Sequence, residues 1–317
     1  MKKTLIAGFA ALGMLANTMS CALAEWKPNG PIKFMIAFAA GGGADTQARL
    51  IGEHLEKTRG WKIIPENVTG KGGLNLLKAM KGQPNDGSVI GMVVTETLGY
   101  NLAANKKSGL SLGDFTPITT TAGFQMGIVA KSDTGWKTFA DVVGAAKGGQ
   151  KIRFGAMSPK LADLTYMLGK KHGIEFNTVM LRGGKAVMNA VNAGDVDIGW
   201  AAGIQNKAVK AGDVVNLASG LSTRLKISPD APTLAELGVP FNADGYFLVV
   251  APAGVPADAR AALADAISGA AADPATKVGG LINKAFGGAS IIKGDELDAL
   301  MASGSSDSEA LMKASAE

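Results

Sequence analysis

Short apolar runs alternate with amphipathic segments along most of the chain. Around segment 45–58 the apolar residues Ala44, Ala48, Ile51 and Leu55 recur every three or four positions, which predicts a helix with one buried face. Apolar runs of strand length occupy 31–38, 61–65, 88–94, 125–130, 151–155, 176–180, 196–200, 214–218 and 246–251. Further helical patterns occupy 74–80, 138–147, 161–172, 185–193 and the tail from 256. This alternation predicts an α/β fold with mostly parallel sheets.

The predicted elements fall into two sets, which are joined near residues 120–124 and again near 241–245. Two crossings predict two lobes on a short double hinge, an arrangement that closes on ligands. We therefore predict two doubly wound α/β lobes with a ligand cleft between them. Lobe 1 comprises residues 25–123 and 244–317, and lobe 2 comprises residues 124–243.

The first two dozen residues have the pattern of a secretory signal. Lys2 and Lys3 precede an apolar run, and Ala22-Leu23-Ala24 follows it with small residues at the spacing that signal peptidase needs, which predicts cleavage before Glu25 and removal of residues 1–24. The apolar run is shorter than the ~20 residues that a membrane span requires. We expect the mature protein in the periplasm; the alternatives are a membrane anchor and a lipoprotein modified at Cys21.

Composition excludes several classes of function. Cys21 is the only cysteine, so a mature chain without it has no disulfide, thiolate metal site or cysteine nucleophile. Without Lys2 and Lys3, 30 basic residues face 27 acidic ones, a net charge of +3 that argues against nucleic-acid binding. The chain also lacks the phosphate-loop, dinucleotide, zinc-protease and nucleophile-elbow motifs. We expect no cofactor, no metal and no enzyme activity.

Three consecutive glycines, Gly41–Gly43, lie between the predicted first strand and first helix. Ligands of open α/β sheets bind at this end of a strand. Glycines leave the backbone accessible, and loop amides together with the first helical turn form a donor array for an anion. The alternative is a tight turn without ligand. Asp45, in the first helical turn, either caps local amides or contacts the ligand.

Six segments together resemble a known family. They are FAAGGGAD (38–45), ENVTGKGGLN (66–75), NDGSVIGM (85–92), DFTPI (114–118), APTLAELGVP (231–240) and APAGVP (251–256). In this order they resemble the periplasmic solute-binding receptors of tripartite tricarboxylate transporters, the Bug or TctC-like family. The resemblance implies a type II periplasmic binding fold that holds a carboxylate between its lobes, largely through backbone amides and ordered waters.

The resemblance also implies ligand-binding positions in lobe 1. Its first binding loop corresponds to Phe38, Ala39, Gly42, Gly43, Ala44 and Asp45. Ala44 stands where most family members have threonine, so one hydroxyl contact is missing. Thr95 and Thr97 lie in the segment that corresponds to a second loop lining the cleft.

Lobe 2 departs from the family pattern in the loops that follow its strands. Lys160 and Arg182 lie just beyond predicted strand ends, where they face either the cleft, with charge-assisted contacts to an anion, or solvent. Ser158 offers a hydroxyl. Trp200 offers either an aromatic wall for a ring-bearing carboxylate or plain core packing.

These observations predict a monomeric receptor for a small di-, tri- or aromatic carboxylate. Closure of the two lobes would capture the ligand, and the closed receptor would deliver it to the membrane permease subunits of a tripartite transporter. The alternative is a receptor of the same fold that serves an ABC-type importer or a sensor system.

Overall fold

Two five-stranded sheets form the frame of the protein. The computed structural model describes residues 26–316, apart from the side chains of residues 305–307. The predicted signal segment 1–24, Cys21 and the cleavage before Glu25 lie outside the described residues. None of the helices in the described part of the chain is both long and apolar enough to cross a membrane.

The strands and helices follow one another in the alternation that the sequence predicts. The strands are β1 (Ile32–Ile36), β2 (Ile63–Asn67), β3 (Val89–Val94), β4 (Phe115–Gly123), β5 (Met126–Lys131), β6 (Ile152–Ala156), β7 (Phe176–Met180), β8 (Ile198–Ala202), β9 (Val214–Ser219) and β10 (Tyr246–Pro252). The helices are α1 (Gly43–Arg59), α2 (Leu74–Met80), α3 (Leu102–Ala104), α4 (Phe139–Lys147), α5 (Pro159–His172), α6 (Gly184–Ala193), α7 (Asn206–Ala211), α8 (Ala257–Ala272), α9 (Lys277–Phe286) and α10 (Gly294–Ala316). A π-helical turn, Thr97–Asn101, runs directly into α3.

Each sheet is parallel except for one strand. The first sheet has the order β2-β1-β3-β10-β4, with β10 antiparallel to both of its neighbours. The second has the order β7-β6-β8-β5-β9, with β5 antiparallel to both of its neighbours. Each of these strands directly follows a connection from the other sheet. The prediction of two mostly parallel sheets is therefore confirmed.

The helices pack with the faces that the apolar spacing predicts. Ala44, Ala48, Ile51 and Leu55 of α1 are all buried. After β10 the chain forms α8 and α9 and returns to the β4 edge, where the N–H of Ser290 donates to the carbonyl oxygen of Thr121 at 3.1 Å; α10 follows. The C-terminal segment thus packs against the first sheet, and its α10 also contacts α5. The assignment of residues 244–317 to lobe 1 stays a prediction.

The two connections between the lobes lie side by side. Phe124 follows β4, and its N–H donates to the carbonyl oxygen of Gly245, which precedes β10, at 2.8 Å. The ring of Phe124 packs edge-on against Phe247, with 5.4 Å between ring centroids. This paired crossing matches a double hinge, and the lobe boundaries at 124 and 244 stay predictions.

Candidate functional site

A cavity lies between the two sheets, where strands of both lobes end. The loops after β1 and β3 reach it from the first lobe, and the loops after β6, β7 and β8 reach it from the second. It encloses about 650 Å³ of space, including the open space at its mouth. Most of its lining is apolar and includes the rings of Phe38, Phe124 and Phe247.

The glycine loop forms one side of this cavity and exposes backbone donors to it. Gly41 has φ 73°, in the left-handed region that favours glycine. The N–H of Gly42 donates to the carbonyl oxygen of Ala39 at 3.2 Å, which closes the turn. Gly43 and Ala44 start α1, so their N–H groups have no acceptor within the helix. Both residues line the cavity, where these donors are available to a ligand.

Two further helices begin at the same cavity. Ser158 caps α5, where its Oγ accepts from the N–H of Leu161 at 3.3 Å. Gly183 precedes α6, and Gly184 and Lys185 form its first turn. Ser158 and residues 183–185 all line the cavity. Three helix N-termini thus meet there, each carrying partial positive charge, and Lys185 adds a full one. The arrangement attracts an anion.

The lobes touch each other around the cavity. The N–H of Ala39 donates to the carbonyl oxygen of Arg182 at 3.3 Å, which joins the glycine loop to the loop before α6. Gly183 has φ 100°, and a Cβ there would lie 3.3 Å from the Cβ of Phe38. Outside the cavity, the hydroxyl of Tyr100 donates to the carboxylate of Asp163 in α5. The structure therefore corresponds to a closed arrangement of the lobes.

Asp45 stabilises the glycine loop from behind and does not line the cavity. Its side chain is buried, and Oδ2 accepts from the N–H of Gly41 at 2.8 Å. Oδ1 accepts from Arg49 Nε at 2.9 Å and from Asn67 Nδ2 at 2.8 Å. The ligand contact expected of Asp45 is thus corrected in favour of capping, because its carboxylate already binds three donors of its own lobe.

We expect Asp45→Asn to destabilise the loop. The substitution places an NH₂ group opposite a donor, and an unsatisfied buried polar group costs about 1–3 kcal/mol. The free energy of unfolding, from urea titration, should fall by that amount, and ligand affinity should fall with it because the loop donors lose their support. Asp133→Asn is the control, since Asp133 is an exposed residue paired with Lys131. Equal effects of the two substitutions would contradict the capping role.

Six of the twelve sequence-predicted site residues line the cavity: Phe38, Ala39, Gly42, Gly43, Ala44 and Ser158. Thr95 and Lys160 instead line a neighbouring hollow beside the hinge and α10. Thr97 is fully buried, and its Oγ1 donates to the carbonyl oxygen of Gly72 at 2.8 Å. Arg182 has an exposed side chain and contacts the other lobe through its backbone.

The aromatic wall expected from Trp200 is wrong. Trp200 is fully buried in the second lobe, and its Nε1 donates to Thr165 Oγ1 at 2.9 Å. Its ring stacks on Phe154 with 5.6 Å between centroids. Trp200 points into the core because β8 is a central strand of the sheet, with helices packed over it.

Sequence reasoning missed Lys185 and Glu96, both of which line the cavity. Lys185 follows two glycines at a predicted helix start, a signal that was available. Glu96 directly precedes the π-helical turn and is only 8% exposed, with no hydrogen bond to its Oε1 among the described residues. Burial raises the pKa of the Glu96 carboxyl, against the charge of Lys160 and hydrogen bonds from Ser158 and Asn101, which lower it.

The family is established by comparison with known proteins. The family described as the tripartite tricarboxylate transporter family receptor, TctC, matches residues 47–295. The chain belongs to this family. A curated UPF0065 protein from Agrobacterium vitis, encoded in the TAR-I ttuE-ttuC′ intergenic region, is 30% identical over 257 residues, covering 78% of this chain and 73% of the relative. Family members are periplasmic solute-binding receptors and not enzymes.

Solved structures similar to this receptor confirm the fold. The periplasmic binding protein BugD has a TM-score of 0.79 at 23% identity, covering 92% of this chain and 99% of BugD. MatC from Rhodopseudomonas palustris with bound malate has a TM-score of 0.78 at 22% identity, covering 90% and 99% of the two chains. Rpa4515 from R. palustris with adipate has a TM-score of 0.78 at 21% identity, covering 91% of this chain and 98% of Rpa4515. The receptor thus has the two-lobed type II periplasmic binding fold predicted from its sequence.

Proposed function

We propose that this receptor captures a small carboxylate-bearing solute in the periplasm and delivers it to the membrane permease subunits of a tripartite transporter. The observation that carries the proposal is the convergence of three helix N-termini on one inter-lobe cavity. The free N–H groups at the starts of α1 and α6 bind anions, and α5 adds its helix dipole, since Pro159 has no N–H and the N–H of Leu161 already bonds to Ser158. A carboxylate is the anionic group that structurally similar receptors bind as malate or adipate.

Ligand capture follows from the way the donors are divided between the lobes. The glycine loop and the start of α1 belong to the first lobe, whereas the starts of α5 and α6 belong to the second. A carboxylate bound between the lobes neutralises the partial positive charges of these helix N-termini, which otherwise face each other. The ligand therefore binds the closed arrangement more strongly than the open one, and this difference drives closure.

A thermal-shift screen of the mature protein tests the proposal. The panel contains malate, adipate, citrate, aromatic carboxylates and amino acids, with sugars and simple amines for comparison. A ligand at 100 times its Kd stabilises the folded state by about 2.7 kcal/mol, which raises Tm by several degrees, since 1 kcal/mol corresponds to roughly 2–4 °C in a protein of this size. Stabilisation by sugars or simple amines alone contradicts the proposal.

The transporter partner is tested by the neighbourhood of the gene. A gene for a large permease with many spans beside one for a small four-span protein supports delivery to a tripartite transporter. A neighbouring ATPase gene contradicts delivery to a tripartite transporter and favours an ABC-type importer. It leaves the proposed capture of a carboxylate unaffected.

A further inference from the structure

Two hydrogen-bond acceptors in the cavity wall have no partner within the described part of the chain. Glu96 Oε1 is one, and Asn101 Oδ1 is the other, in a side chain with no exposed surface. The Nδ2 of Asn101 donates to the carbonyl oxygen of Gly72 at 3.0 Å, which orients the amide so that Oδ1 is the unpaired atom. Both residues belong to the π-helical turn region and line the same cavity as the glycine loop.

Unpaired buried acceptors are costly, and native proteins rarely retain them without a reason. Here the two acceptors lie in one wall of a site whose other walls carry donors. The cavity therefore has a donor side, formed by the N-termini of α1 and α6 with Lys185, and an acceptor side, formed by Glu96 and Asn101 next to the start of α5. A ligand that satisfies both sides carries a carboxylate and a hydrogen-bond donor.

We propose that the ligand is an amino-carboxylate, whose protonated amine donates hydrogen bonds to Glu96 Oε1 and Asn101 Oδ1 while its carboxylate lies at the helix N-termini. This inference rests on the proposed function. An ammonium group has three N–H donors and no acceptor, so it can bond to both unpaired oxygens at once. Its positive charge also offsets the cost of burying the carboxylate form of Glu96.

A dicarboxylate fits this wall less well. Its second carboxylate has acceptors only, so it cannot donate to Glu96 Oε1 or Asn101 Oδ1, and it could bond to Glu96 only if one of the two carboxyl groups carried a proton. Burial raises the pKa of the Glu96 carboxyl, and the charge of Lys160 and the hydrogen bonds of Ser158 and Asn101 offset this only in part. A ligand ammonium beside this carboxyl favours its ionised form and offsets the cost of burial, whereas a second carboxylate adds another buried negative group.

The rest of the cavity is apolar and accepts a ligand body without further polar groups. Phe38, Met157, Leu161 and Ile204 line it together with the rings near the hinge. We therefore expect amino acids with apolar side chains to be bound more tightly than those with a second charged group.

Calorimetric titration of the mature protein tests the inference with pairs of ligands that differ only in the amine. The pairs are leucine with 4-methylpentanoate, phenylalanine with 3-phenylpropanoate, and glutamate with glutarate. A charge-assisted hydrogen bond exceeds a neutral one, so we expect at least one amino acid to bind about 10–100 times more tightly than its deaminated partner. This comparison uses the natural chain and needs no variant.

Glu96→Gln then identifies the acceptor. The substitution keeps the size of the side chain and removes its charge, so affinity for the amino acid should fall about 10–100-fold, while affinity for the deaminated acid stays the same or rises. Glu175→Gln, at an exposed position of the second lobe, is the matched control and should change neither affinity. Circular dichroism and Tm confirm that both variants fold.

The possible results separate this inference from the proposed function. If malate, adipate or another dicarboxylate binds more tightly than every amino acid, or if Glu96→Gln leaves amino-acid affinity unchanged, the inference is overturned and the carboxylate receptor stands. If the protein binds no carboxylate with or without an amine, both are overturned.

Discussion

Replacing Gly42 with leucine should abolish ligand binding in a protein that still folds. Gly42 has φ −80° and ψ 172°, an extended conformation open to any residue, so the substitution strains no backbone angle. A Cβ at this position would lie 3.1 Å from the carbonyl oxygen of Ala39 and 3.7 Å from the Cβ of Lys185 in the other lobe. The remaining carbons of leucine must then enter the cavity or hold the lobes apart.

The expected loss of affinity is large because two effects add. Overpacking a close-packed site costs about 1–3 kcal/mol, and the leucine also occupies space that the ligand needs. We expect at least ~100-fold weaker binding in calorimetric titration, since every 1.4 kcal/mol corresponds to tenfold. Gly144→Leu is the control, because Gly144 lies on the exposed face of α4, where an added Cβ would meet no neighbouring group of the described residues within 4 Å. Wild-type affinity in Gly42→Leu would mean that this loop does not bind the ligand.

Most of the fold was predictable because each lobe repeats a local pattern. Apolar runs bounded by glycines indicate the strands, and α2 and β7 match the predicted ranges at both ends. The strand β4 was missed for a physical reason. Thr119, Thr120 and Thr121 are fully buried, yet the segment looks like a polar connection in the sequence.

The partners of these threonines lie far away in the chain. The Oγ1 of Thr120 donates to the carbonyl oxygen of Ser290 at 2.6 Å, and the Oγ1 of Thr121 donates to Gln47 Oε1 at 2.7 Å. Burying a hydroxyl is costly unless it is hydrogen-bonded, and the bond from Thr120 exists only after the C-terminal segment has packed against β4. No local pattern can therefore reveal this strand.

The candidate site likewise contains residues that a local sequence pattern predicts and residues that it does not. The glycine loop was predictable because its backbone geometry is local, and Gly41–Gly43 mark it directly. Glu96 was not, because a glutamate after a strand usually faces solvent. Its burial depends on the second lobe, which brings Ser158 and Lys160 to its carboxyl when the lobes close. The residues that need both lobes are the ones that sequence patterns leave out.

Trp200 is the opposite of Glu96, because the sequence predicted it as a site residue and the structure places it in the core. Its removal should reduce stability more than the loss of the Asp45 cap does. Trp200→Ala removes a fully buried indole from the second lobe and should lower the free energy of unfolding by about 3–5 kcal/mol in urea titration. Trp200→Phe keeps a ring for stacking on Phe154 and loses the hydrogen bond to Thr165, so it should cost much less. In both variants, at temperatures where they are folded, carboxylate affinity should remain at the wild-type value because Trp200 does not line the cavity. A selective loss of affinity for ring-bearing carboxylates would instead restore Trp200 as a wall of the site.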